Sequence, residues 1–224
     1  MAGYTYQTAN SRYNGIYVSG FSNNTTRNYD LSAAETVGIP WSGISEWVLA
    51  SWLARANYSL KDKYLFTFSF RADGSSRFGE NNKWAMFPSA AFAWRVSDEA
   101  FMEAIPFIHN LKLRTSYGVT GNTALAPYQS LDRMESVQTV YGNNHPVVGY
   151  TPSGISNPEL KWEMTRQVDL GLDLGLLESR LRLTVDYYKK TTTDLLASVP
   201  LPPSVGFGSI LQNVGEIENE GIEI

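Results

Sequence analysis

Few side chains in this sequence are placed to do chemistry. Histidine occurs only as His109 and His145. His109 follows Phe107 and Ile108 and reads as a packing residue, while His145, in "GNNHPVVG", has no second ligand close by, which argues against a metal role. Cysteine is absent, excluding a disulfide scaffold and a thiolate zinc site. There is no G-x-S-x-G elbow, phosphate-binding loop or zinc spacing, and "GFG" at 206–208 falls short of a phosphate fingerprint. The acid pairs Glu218/Glu220 and Asp169/Asp173 could imitate two glycosidase carboxylates. In an extended strand each pair shares a face, and carboxylates along a water-filled face are the simpler account. No catalytic residue, metal ligand or cofactor is predicted.

Binding chemistry is better represented. Trp41, Tyr128, Tyr141 and Tyr150 fall in loop-like stretches, and such rings can stack on sugars. Packing within their own loops competes with that role. Arg71, Arg114, Gln167 and Asp169 form a second set, each a polar residue inside a run that alternates with apolar ones.

Those runs are strands. In "KYLFTFSFR" (63–71), Tyr64, Phe66, Phe68 and Phe70 point one way and Leu65, Thr67, Ser69 and Arg71 the other. The same period of two runs through "LKLRTSYGV" (111–119), "RQVDLGLDLGL" (166–176) and "RLRLTVDYYKK" (180–190). "SWLARANYSL" (51–60) and "FPSAAFAWRV" (87–96) follow it less cleanly. A short "GYTYQ" near the start and "NVGEIENEGIEI" at the end bring the expectation to roughly eight strands in an all-β chain.

The connections differ by end. "SLKDK" and "LESR" are tight turns, and "SDEAFMEAIPFIHN" (97–110) reads as one short helix with Ser97 as its cap and Pro106 as its stop. On the other side the segments before Trp47, between Thr120 and Lys161, and between Thr191 and Asn213 are long. Short turns on one rim and long loops on the other describe an outer-membrane β-barrel, whose alternation is inverted: apolar side chains toward lipid, polar ones toward the lumen. Aromatics near strand ends (Tyr58, Tyr64, Trp84, Trp94, Tyr117, Trp162 and Tyr187) fit interfacial girdles. Alternation alone also permits a soluble carbohydrate-binding sandwich, or a small complete eight-stranded barrel with an adhesive or structural role.

Composition agrees with a barrel. Only 18% of the residues are charged, while Tyr, Phe and Trp number 13, 10 and 6. A net charge of −4 provides no field for nucleic acid. No apolar run is long enough for a transmembrane helix. "MAGYTYQTAN" lacks the basic and apolar regions of a signal peptide, so an exported protein would need more chain than this.

The stretch "YSLKDKYLFTFSFRADGSSRFGENNKWAMFPSAAFAWRVSDEAF" (58–101) resembles the C-terminal barrel portion of SusC/RagA-type TonB-dependent outer-membrane transporters. The resemblance continues through "LKLRTSYGVTGN" (111–122), "NPELKWEMTRQVDLGLDLGLL" (157–177), "RLRLTVDYYKKTTTDLL" (180–196) and "NVGEIENEGIEI" (213–224), and so covers most of residues 46–224. It implies about eight antiparallel strands of a nominally 22-stranded transmembrane barrel with long extracellular loops and short periplasmic turns. Residues 1–45 would hold a first short strand and a long extracellular loop. It also implies import of glycans or peptides, a SusD-like surface lipoprotein as partner, and energy from the TonB complex through a part not present here. Nothing in the sequence resembles the plug, and the chain ends at Ile224 before the last strands of that family, so an internal fragment that neither closes nor transports alone is expected.

Within this frame "DGSSRFGENN" (73–82) is expected as an extracellular loop, with Gly74 and Gly79 supplying positive φ and Asp73 pairing with Arg77. The acid pairs, with Arg71, Arg114, Gln167 and Asp169, are expected on the lumen side, lining either the channel or the plug interface.

Overall fold

The computed structural model describes every residue except 24, 26–28, 143, 144 and 179, and of Tyr141, His145 and Pro146 it describes only the backbone. Among the described residues there are fourteen strands. Eight build one antiparallel sheet: β1 (Ala2–Gly15), β4 (Trp41–Leu60), β5 (Tyr64–Ser75), β6 (Trp84–Arg95), β7 (Ile108–Asn122), β10 (Glu163–Leu176), β11 (Leu181–Thr193) and β14 (Glu216–Glu223), in that spatial order. The other six form three separate two-stranded ribbons: β2 (Val18–Phe21) with β3 (Ala34–Val37), β8 (Arg133–Tyr141) with β9 (His145–Gly154), and β12 (Leu196–Pro200) with β13 (Ser209–Asn213). Each ribbon lies in one of the three long connections, so these loops carry their own ladders.

The expected strands are found, with several differences. The first is 14 residues long, well beyond "GYTYQ", because its whole length pairs with β4 from Ala2↔Ala54 to Gly15↔Trp41. β4 starts at Trp41 and runs for 20 residues. The expected helix after β6 is instead two 3₁₀ turns, Val96–Asp98 and Ala100–Ala104. Ser97 sits inside the first and caps nothing, and the next strand is under way by Ile108, which leaves no room for an α-helix. The tight turns are as expected: Lys61 and Asp62, like Leu177 and Glu178, take left-handed φ between 51° and 57° in the short connections from Leu60 to Tyr64 and from Leu176 to Leu181.

The register makes the two faces explicit. Phe66 opposes Phe92, Phe68 opposes Ala90, Phe92 opposes Thr115, Leu170 opposes both Thr115 and Tyr187, and Leu172 opposes Leu113 and Val185, so these residues share one face across five strands. That face stays open: Phe68 is 55% and Leu170 51% exposed. No second layer covers it, contrary to the sandwich alternative. The sheet also does not close, since β1 and β14 end it, contrary to a complete eight-stranded barrel.

The hydrophobic core lies at the long-loop rim, away from the mid-sheet. Phe78, Phe87, Val119, Leu125, Leu160 and Trp162 are all buried there. Pairing of β6 with β7 stops at Ser89↔Gly118, one residue after Pro88, which has no N–H to give. Above that point Phe87, from the polar face of β6, meets Trp162 edge-on at 5.5 Å, and Phe78 stacks on the same indole at 4.7 Å. Trp162 is therefore a core residue and no part of an interfacial girdle; it is 4% exposed, and its Nε1 donates to the Lys83 carbonyl.

Candidate functional site

Because register alternates strictly, the polar members of each strand collect on one face of the sheet. Arg71, Arg114, Gln167 and Asp169 all lie there, each with partners. Arg114 of β7 reaches across β10: its Nε and Nη2 donate to Asp173 at 2.9 and 3.0 Å, and Nη2 also donates to Asp186 of β11 at 2.9 Å. Gly171 makes this possible. A Cβ there would sit 2.7 Å from Arg114 Cζ, so only glycine lets the guanidinium cross to the third strand. Asp169 accepts from Ser116 Oγ at 2.7 Å and from Gln167 Nε2 at 2.7 Å. Arg71 donates to Asp73 at 2.6 Å and to Ser51 Oγ at 3.1 Å.

Several depressions open on this face. One of about 420 Å³ is lined by Thr67, Ser69, Ser89, Ala91, Ser116 and Asp169, among others. Another, about 570 Å³ at the short-turn end, includes Arg95, Asp98, His109, Lys112, Asp173 and Arg182. His109 is exposed there, so it is not the packing residue its neighbours implied. Among the described residues no group of three or more His, Asp or Glu is placed to hold a metal ion.

Several expectations are corrected. Asp73 pairs with Arg71, two residues away on the same face, and not with Arg77. Arg77 instead lies 4.3 Å above the Trp47 ring, a cation–π contact at the rim. Asp73, Gly74 and Ser75 belong to β5, so the connecting loop is shorter than "DGSSRFGENN". Neither Gly74 nor Gly79 has positive φ. Both are needed for close approach: a Cβ at Gly74 would meet Trp84 Cε2 at 2.6 Å, and one at Gly79 would meet the Pro158 carbonyl carbon at 2.5 Å. Glu218 and Glu220 are not on the polar face. The register Lys189↔Glu220 puts them with Tyr187 and Ile222 on the apolar side, where Lys189 Nζ holds Glu218 at 2.8 Å. In "GFG", Gly206 has φ 82° and caps the 3₁₀ turn Pro203–Val205, a structural role.

The described aromatic candidates, Trp41, Tyr128 and Tyr150, sit on separate segments. Tyr128 takes a left-handed φ of 66° and its hydroxyl accepts from the Glu46 N–H at 2.9 Å, tying its loop to β4. Tyr150 projects from β9 and is exposed. The Tyr141 and His145 side chains lie outside the described residues. Trp41 opens β4, paired with Gly15. Sequence reasoning missed its neighbour Tyr13, whose ring centroid lies 5.8 Å from that of Trp41. The signal was available in the glycines opposite both rings, once the true length of β1 is known.

At the short-turn end a carboxylate ties strands and turn together. Glu99 accepts from Tyr64 Oη at 2.6 Å, Trp94 Nε1 at 3.1 Å and Lys63 Nζ at 3.2 Å. These bonds, that of Tyr64 first, hold its pKa down at about 2. Tyr64 and Trp94 stack at 6.2 Å on the apolar face, as an interfacial girdle would place them.

The profile of the family described as "TonB dependent receptor-like, beta-barrel" matches residues 1–224. The chain is 41% identical over 223 residues to TonB-dependent receptor P3 of Formosa agariphila, covering all of this chain and 22% of that protein. It is 37% identical over 179 residues to TonB-dependent receptor SusC of Bacteroides thetaiotaomicron, covering 78% of this chain and 18% of SusC. Among solved structures, the RagAB peptide transporter superposes with a TM-score of 0.84 at 31% identity, over 99% of this chain and 24% of that one. The chain belongs to the TonB-dependent receptor β-barrel family, in its SusC/RagA-like branch. It spans about a fifth to a quarter of the length of these relatives. The fold is thus an eight-stranded arc of the larger β-barrel of this outer-membrane family, with the long connections at one rim and the tight turns at the other.

Proposed function

We propose that this chain forms part of the wall of a TonB-dependent importer that carries oligosaccharides or peptides across the outer membrane. A SusD-like surface lipoprotein works with it at the extracellular rim, and the TonB complex drives it through a part of the receptor outside residues 1–224. One observation carries the reading most strongly: a single sheet has an uncovered apolar face and a polar face cross-linked through Arg114, Asp173 and Asp186. A soluble domain would have to cover the first, whereas a barrel wall between lipid and a watery lumen needs both. The polar residues Arg71, Arg114, Gln167 and Asp169 then face the lumen. Each is bonded to other side chains of the same face, which suits a fixed wall better than a set of ligand-binding arms.

The test uses the full-length receptor in its own cells. Uptake of labelled oligosaccharides and peptides is measured with and without the TonB system, and the receptor is purified to identify a co-purifying lipoprotein. Energy-dependent uptake of either class, lost on deleting the receptor, is expected. Uptake that persists without TonB overturns the assignment.

A further inference from the structure

Beyond the importer reading, and resting on it, we propose that Tyr13 and Trp41 form a stacking platform for a saccharide on the extracellular extension of the β1–β4 hairpin. β4 has 20 residues, about 65 Å of strand, whereas a membrane-spanning strand needs about 9–11 residues. Since Leu60 lies at the periplasmic turn, the Trp41 end stands well outside the hydrocarbon, where water and solutes reach it.

Each ring packs over a glycine, and the two ring planes are tilted 58° to one another. Trp41 lies over Gly15 so closely that a Cβ there would fall 2.6 Å from its Cε2, and Tyr13 lies over Gly43 with a Cβ position 2.5 Å from its Cε2. The two glycines sit on opposite strands, directly across from the rings that cover them. Each ring is thus backed by bare backbone, and 57% and 51% of the two residues are exposed, so the pair forms two inclined walls open to solvent. Aromatic rings over glycines also stabilise sheets by themselves. Elsewhere in this sheet, however, they occur singly: Phe87 over Gly121 in the rim core, Trp84 over Gly74 on the lipid side, and Tyr188 over Gly221. Among the described residues, only here do two adjacent rings lie exposed on the polar face beyond the membrane span.

The surroundings define the ligand. The next pair on the same face is Ser11↔Ser45, while the charged residues of this segment, Arg12 and Glu46, point to the opposite face. Further down, Trp47 is capped by Arg77, which ends the open strip. Two electron-rich ring faces followed by hydroxyls, with no charge, complement a neutral ring whose C–H groups lie on one side and hydroxyls around the edge. A pyranose meets that description, and a charged peptide does not.

The test uses the full-length receptor, purified in detergent and applied to an array carrying neutral oligosaccharides and short peptides. Wild type is expected to retain a class of neutral oligosaccharides. Trp41→Ala and Tyr13→Ala should each weaken binding about tenfold, with Trp41→Phe retaining most of it. A heat-modifiability gel identifies variants that assemble as wild type. Three results overturn the platform: no oligosaccharide bound, binding unchanged in assembled alanine variants, or peptides retained through Trp41. If the alanine variants lower only stability, the rings merely protect glycines. TonB-dependent uptake by wild-type cells, measured in parallel, separates this failure from failure of the importer reading itself.

Discussion

At the scale of single residues, a few glycines and one carboxylate have effects beyond their size. Gly171 is the gap through which Arg114 reaches Asp186. Gly171→Ala should displace that guanidinium and cost about 1–3 kcal/mol, read as a lower urea midpoint of the assembled receptor. Glu99 gives a pH signature. Its carboxyl titrates at about 2 in the folded protein against an ordinary 4.5. A depressed folded pKa contributes stability that is complete above the unfolded value and lost as pH falls through the folded one. The periplasmic turn should therefore loosen between about pH 4.5 and pH 2, seen as faster hydrogen exchange at residues 96–107, and Glu99→Gln should flatten that dependence.

At the scale of elements, the sheet's two faces predict opposite tolerances. Phe68→Arg places a charge near mid-strand on the lipid face and should cost about 2–4 kcal/mol, with less heat-modifiable receptor in the membrane. Thr67→Arg, on the polar face one residue away, should assemble nearly as wild type. At the rim, Gly79→Ala would drive a Cβ into the Pro158 backbone, so it should free residues 76–83 from residues 157–162 and expose both to protease.

Much of this was legible in the sequence because alternation is a local signal. Runs such as Tyr64–Arg71 carry their facing in their own order. The ribbons were not legible, since strands as short as Val18–Phe21 and Ala34–Val37 owe their pairing to a partner more than a dozen residues away. Nor was the role of Trp162: a Trp near a strand end reads as girdle until the end of β6–β7 pairing brings Phe87 against it. The facing of Glu218 and Glu220 required the β11–β14 register, which no local pattern supplies. The candidate site was legible in part. Trp41 stands out by type, but its partner Tyr13 emerges only when β1 is seen to extend to Gly15.

At the scale of the molecule, the eight strands form an arc whose outer strands, β1 and β14, leave hydrogen-bonding edges. In lipid such edges must be paired, so the arc acts as wall only within the larger barrel of its family. Its stability is concentrated at the two rims: the Phe78–Phe87–Trp162 core at the long-loop rim and the Glu99 cluster at the short-turn rim. Between them the wall is two-faced. Since the 224 residues contain no cysteine, single cysteines can be placed along β5 of the full-length receptor and probed in intact outer membranes with a water-soluble maleimide. Cysteines at Thr67, Ser69 and Arg71 should react, while those at Phe66, Phe68 and Phe70 should be protected from it and quenched by a lipid-borne probe. Uniform labelling along the strand, or the opposite alternation, would contradict the account.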